Sequence, residues 1–473
     1  MSSHSMDTSV AEVSHVKEEK RPFGFKDELG YILGDMGGSF VNLYIDAFFL
    51  TFATYVLGVS PMFMGNLFLF ARLFDAINDP IIGSFPDRWK LGKSGDKFKP
   101  YIKFAMWPLA LSVLFAFADV SAWNSTLMHV WVVFAYILYG ISYTGTSMPF
   151  GAMANVITDD PIERTKLSRA RSIGGTVVGA GFLALVPLFI WDDAGQAVPR
   201  AFFIIAIFFA IFSILSYTGL LKFTEERIVE EKSAEDKVDY NYSQIIKDVF
   251  KNRPLVGVML ATIGSLIFIT ANGQLGAIMF LEYYKMPGLQ SITQLSHVAV
   301  LVLCLPLVPR LSERFGKQKT LLAAVAFNAV MASFLFLVPI ENPYLFVILF
   351  MIGNIGQTIF TMLIWALVSD SLDYHEYKFN YRSDGSLYSI YTFSRKIGST
   401  IASTFAAYSL GWIGFMAGAA TQSPEVSENI RMLYTAVPLI ATILELIGVG
   451  LVFNLTKDKT NEMYATLAQR RKK

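Results

Sequence analysis

Apolar residues arrive along this chain in runs of about twenty, the length a helix needs to cross a bilayer. Such runs begin near residues 28, 62, 101, 128, 171 and 200, and again near 254, 293, 320, 344, 385 and 430. The most polar internal stretch, KFTEERIVEEKSAEDKVDYNYSQIIKDVFKNR at residues 222–253, separates the two sets of six. The pattern predicts an all-α integral membrane protein with twelve transmembrane helices in two six-helix halves. Only helices or closed barrels satisfy every backbone polar group where water is absent. The divisions are an N-terminal tail (1–26), a first bundle (27–222), a linker (223–253), a second bundle (254–456) and a C-terminal tail (457–473).

Composition strengthens the membrane reading and charge orients it. Of 473 residues, 53% are hydrophobic and 16% charged, where a soluble domain carries about 25% charged. The alternating loops on the side of the N-terminus, together with both tails, hold 32 of the 39 Lys and Arg, against Arg200, Lys285 and Arg431 in the opposite loops. By the positive-inside rule both termini are cytoplasmic, in a multi-pass protein of the cell membrane. MSSHSMDTSVAEVSHVKEEKRPF lacks an apolar core and reads as a polar cytoplasmic tail. A net charge of +1 points to no nucleic-acid partner, and the expected state is a monomer in lipid. Cys304 is the only cysteine, so no disulfide framework or Cys-based metal site is expected.

The halves share a loop signature. PDRWKLGKSGDKFKP follows the second run and PRLSERFGKQKT the eighth, with Arg88 and Arg314 226 residues apart. Matching loops in two six-span halves suggest duplication, as in many secondary transporters. The pattern resembles the loop signature of the major facilitator superfamily.

Several spans carry charges that cost about 2.5–3.5 kcal/mol each at the centre of a membrane helix, so they face an interior pathway. In LFLFARLFDAINDPIIGSF, Arg72, Asp75 and Asp79 fall on one helical face with Asn78 beside it. Two carboxylates, an amide oxygen and a carbonyl released by Pro80 make a cradle for a hard cation; the alternative is an Arg–Asp lock between helices. In the first span Asp35, Ser39, Asn42 and Asp46 share a face, with Gly34, Gly37 and Gly38 permitting close approach. The fourth span has a small polar stripe of Gly140, Thr144, Ser147 and Gly151, from which Thr144 can supply an oxygen. Arg171 opens the fifth. In the eleventh, Arg395 and Lys396 lie deep with Thr392 one turn before Lys396. Adjacent residues point about 100° apart, so one faces the cavity centre and the other is expected to pair with an acid on a neighbouring helix. Between the tenth and eleventh spans, Asp370, Asp373, Glu376 and Arg382 suggest an inner gate whose ion pairs include Arg88 or Arg314. A solvated loop is the plainer reading.

FDAINDPIIG, GDKFKP, VSDSLDYHEYKFNYRSDG and FSRKIG closely resemble the glycoside–pentoside–hexuronide:cation symporter family, from about Gly30 to Lys457. The resemblance implies a cation site at Asp75, Asn78, Asp79 and Thr144, with Asp75 and Asp79 holding Na⁺ if sodium is the coupling ion. It implies a sugar site using Asp35, Tyr143, Arg171, Thr392 and Lys396; Ser147 and Arg395 complete the expected set. No resident cofactor is implied, only co-transported Na⁺, Li⁺ or H⁺. Melibiose-type carriers have an acid and a Trp where this chain has Ser147 and Gly151, so galactoside specificity is not implied. SLYSIYTFSRKIGSTI looks more like the glucuronide and xyloside carriers. Arg395 suits a uronide carboxylate through two parallel hydrogen bonds, but xyloside carriers share the Arg–Lys pair, so the pair leaves the substrate open. The expected function is sugar:cation import by alternating access. Rivals are a membrane sugar sensor or uncoupled facilitator of the same fold, and a polytopic enzyme, for which no HExxH or spaced His ligand set is present.

Overall fold

The computed structural model describes residues 21–83, 85–89, 91, 96–158, 160–192, 195–228, 242–381, 384–419 and 421–470. Each of the twelve expected segments is a helix. The first half comprises α1 (Phe25–Tyr55), α2 (Pro61–Gly83), α3 (Lys99–Ala116), α4 (Ser125–Ile157), α5 (Pro161–Thr176) and α6 (Pro199–Phe223). Beyond Thr176, α5 runs on as a π segment, Val177–Phe182, and a 3₁₀ segment, Leu183–Leu188. The second half comprises α7 (Arg253–Glu282), α8 (Leu289–Phe315), α9 (Lys317–Leu337), α10 (Pro343–Phe379), α11 (Asp384–Trp412) and α12 (Pro424–Leu446), followed by α13 (Lys457–Arg470). Among the described residues, nine helices are long and apolar enough to cross a membrane. The remaining three of the twelve are α2, α3 and α11. Two of them, α2 and α11, carry Arg72, Asp75 and Asp79, and Arg395 and Lys396.

Within the first half α1 packs on α6 and α3 on α4; within the second, α7 packs on α11 and α12, and α9 on α10. The halves meet where α2 lies against α11, the end of α5 against α8, and α1 against α7. Small residues set the tightest crossings. A Cβ on Gly257 would stand 2.7 Å from the carbonyl oxygen of Gly448, and one on Gly448 2.6 Å from that of Gly257. Both obstacles are backbone and neither can rotate away. Gly257→Val is therefore expected to destabilise the protein by about 1–3 kcal/mol, the usual cost of overpacking. A thermal unfolding midpoint equal to wild type would contradict this crossing.

Two segments read as polar connectors are anchored. Fully buried Asp27 binds Arg21 at 3.1 Å and Arg227 at 3.0 Å. Glu226 accepts the backbone N–H groups of Lys97, Phe98 and Lys99 at 2.5, 2.9 and 2.8 Å, capping the positive end of α3. The start of the linker thus belongs to the first half; residues 229–241 lie outside the described residues. In the C-terminal tail, α13 buries Met463 and Leu467 and donates from the Tyr464 hydroxyl to Asp370 Oδ1 at 2.7 Å. Burial, with that bond to a carboxylate, pushes the Tyr464 phenol above its ordinary pKa.

Candidate functional site

The buried charges converge on a polar seam between the halves, built from α1, α2, α4, α5 and α11. On α1, Asp35 Oδ1 accepts from Arg171 Nε of α5 at 3.1 Å, and Oδ2 accepts from Ser39 Oγ at 3.4 Å. Two glycines on α5 make room for this carboxylate. A Cβ on Gly175 would lie 3.0 Å from Asp35 Oδ2, and one on Gly174 2.5 Å from the carbonyl oxygen of Ile32. The Arg171 guanidinium also covers the Phe150 ring at 5.4 Å.

Tyr143 stacks on Tyr139, ring centroids 5.9 Å apart, and lies close enough to Gly38 that a Cβ there would reach its ring at 3.5 Å. It therefore borders the same wall as Asp35. Ser147 follows one turn along α4, half-buried. Tyr139 donates to Asn42 Oδ1 at 2.6 Å.

The α2 residues divide between two cations. Arg72 reaches Asp75 Oδ2 at 3.5 Å and Asp46 Oδ1 at 3.6 Å. Asp79, one turn further and buried, turns to different partners. Thr144 Oγ1 donates to its Oδ1 at 2.7 Å, and Lys396 Nζ from the other half pairs with its Oδ2. Lys396 lies within electrostatic reach of Asp75 as well. Gly140 leaves space beside Asp75 Oδ1, where a Cβ would come to 3.0 Å. Asn78 Nδ2 is buried with no hydrogen-bond partner among the described residues. The sequence reading put Arg72, Asp75 and Asp79 on one face; their division between Arg72 and Lys396 required the fold.

Arg395 and Lys396 take different partners. Arg395 has no acid partner among the described residues; its guanidinium lies 5.0 Å from the centroid of Trp365 on α10. Lys396 is the member of the pair that takes a carboxylate. Thr392 lies half-buried on the same helix.

The halves are tied together at one end. At the end remote from the chain termini the halves are joined: Tyr55 donates to Glu282 Oε1 at 2.8 Å, Tyr408 to Asn66 Oδ1 at 2.6 Å, and the Gly418 N–H to the Thr54 carbonyl at 2.8 Å. Yet the side chains of Arg171 and Lys396 are each 49% exposed.

At the end that bears the termini, Asp370 is buried and accepts from Lys317 Nζ at 2.8 and 2.9 Å as well as from the Tyr464 hydroxyl. Arg314, one of the two basic residues expected at this gate, lies over the Phe315 ring at 5.2 Å. Asp373 and Glu376 continue along α10, half-buried. The side chain of Arg88 and the whole of Arg382 lie outside the described residues. Sequence reasoning missed Lys317, Tyr464 and Trp365. Lys317 stood three residues beyond Arg314 in the quoted loop, and Trp365 sat in an apolar run with nothing to mark its partner.

Fold and seam together define a membrane transporter of the major facilitator type. The chain belongs to the MFS/sugar transport protein family, whose model matches residues 30–457, and its motifs fall among the sugar:cation symporters of that superfamily. An uncharacterised symporter of Bacillus subtilis, YjmB, is 29% identical over 98% of this chain and 100% of its own length. The glucuronide carrier protein homolog of Escherichia coli is 27% identical, with 94% and 95% covered. Among solved structures, a bacterial homologue of the human lysosomal transporter Spinster superposes with a TM-score of 0.64 at 12% identity, covering 93% of this chain and 99% of the other. A D-xylose–proton symporter gives 0.60 at 14%, covering 89% and 97%. At those identities the structural likeness concerns the fold alone.

Proposed function

We propose that this sugar transporter is a sugar:cation symporter that imports a sugar or glycoside with Na⁺ or H⁺ by alternating access, with both termini in the cytoplasm. The observation that carries the reading is the position of Asp79. It belongs to one half, is shared with Thr144 of that half, and is neutralised by Lys396 of the other. A carboxylate buried in a membrane protein needs a positive partner, and here an internal one stands in for the ion.

A cation entering between Asp75 and Asp79 competes with Lys396 for the same oxygens. Asn78 and Thr144 offer further oxygens to a hard ion. Once displaced, Lys396 is free to donate to sugar hydroxyls near Asp35, Tyr143, Ser147 and Arg171. The tie across the halves is then remade through the cargo. Cation and sugar therefore favour each other's binding, and the factor is the same in both directions. Rocking of the halves about the seam delivers both to the opposite side. The names of relatives support the class: one is a putative glycoside/cation symporter, YagG of Escherichia coli, 27% identical over 88% of this chain.

The test is uptake by purified, reconstituted protein. A panel of pentosides, neutral glycosides and glucuronides is offered with an inward gradient of Na⁺, Li⁺ or H⁺. Accumulation above the external concentration with one of these ions is expected. Equilibration without accumulation under every gradient would leave a facilitator, and binding without flux a sensor.

A further inference from the structure

We propose that Glu445 and Gln357 form a proton-binding site inside the second half, separate from the Asp75 and Asp79 cradle. The proton resides on the Glu445 carboxyl and ties α12 to α10 and α7.

The first support is a set of oxygens without hydrogens. Glu445, at the end of α12, is fully buried, and neither of its carboxyl oxygens has a hydrogen-bond partner among the described residues. Its side chain packs on α7, where a Cβ on Gly264 would stand 3.2 Å from the Glu445 Cγ. The Gln357 side-chain amide of α10 lies beside the carboxyl. Gln357 is itself buried. Its Nε2 donates to Ser265 Oγ of α7 at 2.7 Å, while its Oε1 accepts from nothing among the described residues. Each buried acceptor left without a donor costs about 1–3 kcal/mol. One proton on Glu445 turns a carboxyl oxygen into a donor. Donation to the Gln357 amide oxygen then completes a chain, Glu445 to Gln357 to Ser265, across three helices.

The second support is the absence of a counter-charge. The helices packed against α12 are α7 and α9. They carry charge only at their ends: Arg253 and Glu282 on α7, Lys317 and Lys319 on α9. On α10 no residue between Tyr344 and Asp370 is ionisable, and on α12 the nearest such group is Tyr434. On α11, Tyr391 accepts from Thr262 of α7 at 3.3 Å, Lys396 is taken by Asp79, and Arg395 lies over Trp365. An ionised carboxylate in such surroundings is far costlier than the neutral acid. A metal cation would need a shell of oxygens. The α7 side of this place is closed by Ala441 and Leu444, which a Cβ on Gly264 would meet at 2.7 and 3.1 Å. A proton needs no such shell.

The third support is a polar neighbour. One turn along α7 and α10 from Gly264 and Gln357, Phe268 and Asn354 line a cavity of about 10 Å³ with Asn328, Thr435 and Pro438, room for one water. Neither amide atom of Asn354 has a partner among the described residues. A proton entering or leaving Glu445 has this pocket as its first step. The second half then holds a cation of its own, and protons bound by the protein and protons moved with sugar are different numbers.

The test is infrared spectroscopy of the purified full-length protein at neutral pH, which separates the carbonyl stretch of an un-ionised carboxyl from carboxylate and amide bands. Wild type is expected to show such a band that Glu445→Gln removes and Asp79→Asn leaves in place. Gln357→Leu takes away the acceptor and should shift the band to higher frequency, a result that decides the matter even if Glu445→Gln fails to fold. Saturating Na⁺ or Li⁺ should leave the band at full intensity. The proposal is overturned if no un-ionised carboxyl depends on Glu445, or if Gln357→Leu does not move the band. Loss of the band in Na⁺ or Li⁺ would make the occupant a metal ion and overturn it equally. Neither sugar nor an ion gradient enters the measurement, so its outcome stands apart from the transport reading.

Discussion

Asp79→Asn is expected to abolish ion-driven accumulation. At zero membrane voltage, a tenfold inward gradient of one co-transported ion contributes about 1.4 kcal/mol, enough for roughly tenfold accumulation of sugar. The variant keeps the shape of the side chain and its bond from Thr144, but removes the charge that Lys396 pairs with and that the ion is proposed to share. Its internal sugar should therefore rise only to about the external concentration. Labelled uptake in proteoliposomes reads the difference, and a variant that still accumulates tenfold takes Asp79 out of the coupling site.

The second large effect is at Lys396. Lys396→Ala removes the only charge from the second half that touches the α2 acids among the described residues, and with it the donor proposed for sugar hydroxyls. Sugar binding should fall about 10- to 100-fold, the scale of charge-assisted hydrogen bonds, with uptake falling at least as far. Because Lys396 and Asp79 touch, the double variant Asp79→Asn/Lys396→Ala should lose less than the sum of the single losses. Unchanged sugar affinity together with normal flux in Lys396→Ala would remove it from the site. Fully additive losses would place the two residues in separate roles.

The helices were legible because membrane spans announce themselves by length and apolarity, and every expected segment is helical. Even α2 and α11 could be placed, although their charges take them below the hydropathy of a simple span. Helical spacing put Arg72 beside Asp75, and that contact is present at 3.5 Å. Contacts between distant segments were not legible. Nothing local assigns Asp79 to Lys396, 317 positions away, in preference to Arg72 seven positions before it. The spacing required one of Arg395 and Lys396 to meet an acid but not which; that Lys396 takes Asp79 and Arg395 lies over Trp365 depends on how the helices face one another. That Asp370 takes Lys317 had no local mark either: the turn at Gly316, with φ +87°, redirects the chain between Arg314 and Lys317. The polar connectors were misread because Glu225–Arg227 look solvated until α3 supplies free N–H groups for Glu226.

In the proposed cycle the carboxylate of Asp79 is held in turn by Lys396 of the opposite half, as in this structure, and by the travelling ion. Cation affinity of wild type and Lys396→Ala, titrated calorimetrically with Na⁺ and Li⁺ and by proton uptake, tests it most directly. Removing the competitor should tighten binding of the coupling ion by tenfold or more, even as sugar binding weakens. An ion affinity that stays the same or falls when Lys396 is removed would contradict it.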